Sequence, residues 1–259
     1  MDALAISIFQ PAARDEAPAA RLNWLDMAAE RASGAGSSLL ICPELFLSGY
    51  GNADRQRDRA QPILGEYSDR VGEIALLHNI AIVFGYSERE RAQVFNAAAF
   101  MTPKGKLLGH HRKNYLTPGF EADVFGRGEH LRVFEHAGWR IALLIGSDIE
   151  YPAAARHSAR GGADLLVVPA ALAADRQFVA EWLAPVRAWE NGVFLAFANW
   201  AGGAQQPPFA GCSRVIGPDG EEDALAGTGE QILEATLEPA RLQAARAHLP
   251  YLAELVDKS

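Results

Sequence analysis

Cysteine is nearly absent: the 259-residue chain holds two, Cys42 and Cys212. Two cysteines in separate segments supply neither a disulfide framework nor a zinc site, and each reads as a small buried hydrophobe. Long apolar runs are missing as well. None reaches the roughly 18 residues of a candidate spanning helix. Positive charge is in deficit, with 24 Lys and Arg against 32 Asp and Glu and a net charge of −8. Phosphate binding needs clustered basic side chains, so nucleic acid and anionic membrane are not expected partners. The opening MDALAISIFQ lacks the basic start and long apolar core of a signal peptide, and a cytoplasmic location is the expectation. What is present, 49% hydrophobic and 22% charged residues, suits a globular chain of one large or two small domains.

Apolar spacing divides the chain into alternating elements. LAISIFQ reads as a buried strand, and APAARLNWLDMAAERASG as a helix stopped by glycine. SSLLICPE is a strand halted by Pro43, and YSDRVGEIALLHN a helix with a Ser or Asp cap. IAIVFGYSE and VFNAAAFMT form a strand pair, and PKG turns into KLLGHHRK. HLRVFEHAGWRIALLI holds two strands, PAAARHSARG a helix, and ADLLVVPA a strand. DRQFVAEWLAPVRAWENG reads as a long helix interrupted at Pro185, before the strand VFLAFANW. FAGCSRVIGPDGEE is a strand with a turn, and EQILEATL and EPARLQAARAH close the chain. Adjacent strand pairs among the alternation predict mixed sheets with helices outside, an α/β domain. GGAQQPPFAG (202–211) is the most loop-like stretch, a binding loop or surface excursion.

Three charged residues follow apolar segments: Glu44 after LLICP, Lys113 after LLGHHR, and Glu121 in the loop TPGFEADVF. Strand ends of this kind form the rims where α/β active sites lie. PELFLSGYG (43–51), HRKNYLTPGFE (111–121) and LLIGSDIEYP (143–152), in this order, resemble the three catalytic segments of the nitrilase superfamily of carbon–nitrogen hydrolases. SIFQP, RAWENGVFLAFAN (187–199), FAGCSRVIGPDGE (209–221) and LPYLAEL (249–255) extend the resemblance over nearly the whole chain. The run from 164 to 199 is most similar to small bacterial amidases. The resemblance implies one domain over 1–259 with a four-layer αββα sandwich, paired with a second subunit into a homodimer. It also implies Glu44 as base, Lys113 as oxyanion donor, and Glu121 as the carboxylate orienting the lysine and substrate. No cofactor or metal is implied. An amide carbonyl needs a nucleophile, a proton shuttle and a fixed positive donor.

The third segment departs from the family pattern. Where the family carries cysteine, an aromatic and an acid, this chain has Gly146, Ser147 and Asp148. Gly146 has no side chain, while glycine accepts the positive φ of a strained elbow without penalty. Ser147 is the remaining candidate nucleophile or oxyanion donor. It occupies the aromatic's position, and alternation at a strand end predicts its hydroxyl aimed away from Glu44. A serine also usually needs a histidine base, and nothing in the sequence ties His157, His110 or His111 to it. Three readings stay open: a pseudoenzyme binding a small amide, carboxylate or partner; a slow hydrolase using water activated by Glu44; and a disabled form of an ordinary amidase. Tyr50, Phe120, Phe178 and Trp200 are candidate pocket walls, Asn199 and Glu190 are structural hydrogen-bonding residues, and GHHRK is not a metal site because adjacent strand residues face opposite ways.

Overall fold

Period-two patterning sorts the strand side chains between two different cores. In the segment after residue 38, Leu39 and Ile41 enter one buried cluster while Leu40 and Cys42 enter another. The computed structural model describes residues 1–254. The end of the expected 1–259 domain, and Leu255 of the 249–255 segment, lie outside the described residues.

The strands are β1 (Leu4–Gln10), β2 (Leu39–Ile41), β3 (Ala81–Glu90), β4 (Gln93–Met101), β5 (Leu107–Arg112), β6 (Val133–His136), β7 (Trp139–Leu143), β8 (Leu165–Pro169), β9 (Phe194–Ala198), β10 (Ala201–Gly202), β11 (Phe209–Ala210), β12 (Arg214–Ile216), β13 (Glu222–Leu225) and β14 (Gln231–Leu237). The α-helices are α1 (Pro18–Gly34), α2 (Ala53–Asp58), α3 (Glu66–Leu77), α4 (Phe120–Val124), α5 (Pro152–Arg160), α6 (Ala184–Asn191), α7 (Pro239–His248) and α8 (Tyr251–Glu254).

Two six-stranded sheets result, in the orders β14-β1-β2-β3-β4-β5 and β13-β12-β9-β8-β7-β6. Each has a parallel centre, β1-β2-β3 or β7-β8-β9, flanked by antiparallel strands. Their inner faces share one core, where Ile6, Ile41 and Val83 meet Trp139, Ile141, Val167 and Phe194. Helices α1 and α3 cover the outer face of the first sheet through Leu25, Ala29, Val71 and Ala75. Helices α5 and α6 cover that of the second through Ala155, Ala159, Ala184 and Ala188. This is the expected four-layer αββα arrangement of mixed sheets with outer helices. Each large apolar side chain fully buried between layers contributes roughly 1.5–3 kcal/mol before ordering entropy.

Three local expectations are corrected. Helix α3 starts at Glu66 and is capped by Gly65, with no side-chain cap; Ser68 and Asp69 fall in its first turns, where Glu66 and Asp69 meet the positive end of the helix dipole. The 175–192 segment is broken before Pro185 rather than at it. A 3₁₀ turn (Ala174–Arg176) and a π-helical turn (Val179–Leu183) precede α6. Pro185 then sits in the first turn of α6, directly after the π-helical turn. Glu121 belongs to the short helix α4, not a loop. No helix among the described residues is long and apolar enough to cross a membrane.

Candidate functional site

The facing sheets bring distant segments together at one end of the sandwich. Glu44 lies just beyond β2, Lys113 just beyond β5, and the 3₁₀ elbow Gly146–Glu150 just beyond β7. Glu121 enters from α4. Strand ends at the centre of an α/β sheet leave such a crevice because the connecting loops diverge there. Pairing Lys113 N with Asn96 O (2.8 Å) extends the β4–β5 ladder, and Glu44 N donates to Ala170 O of the opposite sheet's segment (3.3 Å).

Lys113, Glu44 and Glu121 are all buried. Lys113 Nζ donates to Glu44 Oε1 and Glu121 Oε1, both at 2.7 Å. Asn96 Nδ2 donates to the same Glu44 oxygen at 2.6 Å, so Glu44 Oε2 is left facing the cavity. Glu121 also accepts from Tyr50 Oη (2.9 Å) and from Thr117 N (2.9 Å). Burial pushes the Glu44 carboxyl up to about 7, against the pull of Lys113 and with the push of Glu121. Burial opposes ionisation of Glu121 too, but Lys113, Thr117 and Tyr50 hold it below the usual carboxylate range. Burial likewise disfavours the charge on Lys113, and the two carboxylates outweigh it and raise its pKa. One ammonium between two carboxyls therefore stays charged, while Glu44 is poised to exchange a proton near neutrality.

Gly146 has φ +47°, and a β-carbon placed on it would stand 2.6 Å from Glu44 Oε2 and 3.0 Å from Lys113 Nζ. Ser147 lines the cavity, and its hydroxyl donates to Tyr115 O at 2.5 Å. The elbow is anchored by Asp148, which the sequence did not single out as a structural hub. Its Oδ1 accepts from Asn114 N (3.0 Å) and Tyr115 N (2.9 Å), and its Oδ2 from Ile145 N (2.9 Å) and His111 Nε2 (2.9 Å). His110 points the other way, toward Glu88 at 3.5 Å. Cys42 is buried under α1 and α3 with its thiol pKa pushed up by burial. Cys212 is also raised by burial and lies against Gln177, outside the cavity lining.

The cavity holds about 420 Å³. Its floor is Glu44, Lys113 and Glu121, and its walls include Tyr50, Phe120, Leu172 and Phe209. Gln205, Gln206 and Pro207 of the predicted 202–211 loop reach its rim, as does the ion pair Glu150–Arg176. Tyr50 and Phe120 line this cavity. Phe178 does not line it: half of it is exposed, and its neighbour Val179 lines the cavity instead. Trp200 is not a wall of this cavity either. It is buried, stacks on Phe46, and donates Nε1 to Glu44 O at 2.9 Å, fixing the backbone that carries Glu44. Asn199 bonds Leu172 N, Leu172 O and Gly211 O, and Glu190 pairs with Arg187, both structural roles. Sequence reasoning missed Asn96. The available signal was a lone amide inside the apolar strand VFNAAAF.

The carbon–nitrogen hydrolase family model matches residues 5–247. A hydrolase encoded in the pqqF 5′ region of Pseudomonas protegens is 34% identical, over 96% of this chain and 88% of that protein. An (R)-stereoselective amidase from Pseudomonas sp. is 30% identical, over 95% and 89%. Among solved structures, a cysteine-to-alanine variant of an amidase of the nitrilase superfamily from Nesterenkonia AN1 superposes with a TM-score of 0.82. It is 33% identical, with 95% of each chain covered. Matched along almost its entire length by sequence and by fold, the chain belongs to the carbon–nitrogen hydrolases of the nitrilase superfamily.

Proposed function

We propose that Gly146 stands where the superfamily's nucleophile would be, and that this chain binds a small amide or carboxylate without forming a covalent intermediate. The Nesterenkonia amidase is described as carrying an active-site cysteine, and as binding butyramide when that cysteine is replaced by alanine. The observation that carries this reading is the side-chain-free elbow: Glu44 Oε2 reaches the space a side chain on Gly146 would enter, and Ser147 turns its hydroxyl to Tyr115. Lys113 has three N–H donors and spends two on Glu44 and Glu121. The third is free for a carbonyl oxygen. Glu44 Oε2 accepts from the ligand's NH₂. Tyr50 and Phe120 enclose the alkyl part.

A second reading rests on the Glu44 carboxyl near 7. Glu44 takes a proton from water as its oxygen attacks the carbonyl carbon, Lys113 stabilises the oxyanion, and the proton passes to the leaving amine. Ammonia and a carboxylic acid result. This route lacks the covalent step and is slow.

The same chain is proposed to pair with a second copy. Trp182, Phe178, Val186 and Trp189 leave an exposed apolar face around α6, with Trp182 70% exposed, and such a patch suits burial against another subunit.

Calorimetry with butyramide, run beside an ammonia-release assay on the parent and on Gly146→Cys, tests these readings. Binding without ammonia in the parent, and turnover in the variant, is expected. Ammonia from the parent that disappears in Glu44→Gln would replace the first reading with the second. No butyramide binding to either protein would remove both.

A further inference from the structure

Beside the cavity, and sharing Tyr50, Gly51, Asn52, Gln205 and Phe209 with it, lies a second chamber of about 400 Å³. Its remaining lining carries Arg14, Arg21 and Arg55 against one acid, Asp15. In a chain of net charge −8, this excess of positive charge is not a reflection of overall composition.

Arg21 is the unusual member. It is buried, on α1, and its guanidinium lies 5.0 Å from the centre of the Trp200 ring. Its three hydrogen bonds go to main-chain carbonyls: Glu16 O (3.4 Å), Phe46 O (3.2 Å) and Arg14 O (2.7 Å). Two of its five N–H donors remain. Among the described residues no carboxylate lies within ion-pair distance of it. Arg59 behind it is likewise held by carbonyls, Glu16 O at 3.0 Å and Ser48 O at 2.8 Å. Burial, with Arg59 and Arg55 nearby, draws the Arg21 pKa down to about 10, against Glu16 and Asp15. Buried charge is costly unless paired. Asp15 is engaged by Arg55 at 2.8 Å, and Arg14 pairs with the exposed Glu230 at 3.3 Å while lying over the Trp24 ring.

We infer that this chamber is an anion subsite: it receives the negatively charged tail of an amide whose carbonyl end lies at Lys113. The inference deepens the amide-binding reading and rests on it for the carbonyl end. A carboxylate in the chamber supplies the counter-charge Arg21 lacks and accepts from its open donors, an interaction that also favours the fork geometry of a guanidinium. The spacer crosses between Tyr50, Phe209 and Gln205, the residues common to both spaces. Trp200, expected from sequence as a wall of the main cavity, instead lines this chamber and carries the arginine on its face.

The test compares ω-carbamoyl carboxylates of increasing length with uncharged amides of equal length, by calorimetry. At one length the charged amide is expected to bind about tenfold or more tightly, as charge-assisted bonds allow. That ratio is expected to shrink between about 20 mM and 500 mM salt, since part of the chamber is open to solvent. It is also expected to fall toward one in Arg14→Gln/Arg55→Gln. The salt series needs no variant, so a folding failure leaves the test intact. A ratio near one at every length, or one indifferent to both salt and the double variant, overturns the subsite while the amide pocket stands. Carboxylates that bind with salt and Arg55 dependence, while neutral amides do not bind, would keep the subsite and remove the amide pocket.

Discussion

Glu44 Oε2 lies 2.6 Å from the point where a β-carbon would project from Gly146. The carboxylate and a side chain at the elbow therefore compete for the same space, and φ of +47° at Gly146 adds a backbone penalty to any replacement. Gly146→Ala is expected to lower stability by about 1 kcal/mol or more and to change butyramide affinity by moving the Glu44 carboxylate. Denaturant unfolding and calorimetry read the two effects. Unchanged values in both would mean that the elbow glycine is incidental.

A carboxylate ligand at Lys113 meets two resident carboxyls, so it binds with Glu44 protonated. Glu44 has its folded pKa raised to about 7. Below that value the proton is already present; above it, binding must take one up. Butyrate affinity is expected to be level below pH 7 and to fall by up to about tenfold per unit above it, with butyramide varying less. Glu44→Gln should flatten the profile. Affinity for butyrate that rises with pH contradicts this assignment.

Asp148 satisfies three main-chain donors and His111 in a fully buried setting. Asp148→Ala strands these donors without water, and unsatisfied buried groups cost about 1–3 kcal/mol each. A loss of at least about 3 kcal/mol is expected in urea unfolding. Asp148→Asn, which keeps one acceptor oxygen, should fall between the alanine variant and the parent. A near-neutral alanine variant would show that the elbow is held by packing instead.

Trp182 stands 70% exposed beside Phe178, Val186 and Trp189. If this face joins two copies, Trp182→Glu should shift sedimentation from dimer to monomer without lowering helix content by circular dichroism. A parent that sediments as a monomer at all concentrations rejects the pairing.

The layer pattern was readable because burial on both faces of a sheet leaves a local trace. Leu39 and Ile41 alternate with Leu40 and Cys42, and the helices announce themselves by apolar spacing over three or more turns. Short elements left weaker traces: five-residue α4 around Glu121 has too few turns to show a period. Phe178 looked like a pocket wall by position, but it stands half-exposed at the start of the π-helical turn, and the next residue, Val179, is the one that lines the cavity.

Sequence alone was enough to place Glu44 and Lys113 at strand ends and to show that Gly146 brings no side chain to the elbow, but it read Glu121 as a loop residue where the structure has the short helix α4. It could not say that Asn96 holds Glu44, that His111 meets Asp148 across 37 residues, or that Arg21 is buried near Trp200 without a carboxylate. Periodicity is local, carried by neighbours one to four positions apart. These contacts arise only when two sheets face each other and their loops close over one end. There each side chain's partner is chosen by distance in space and by the demand that buried polar groups be paired.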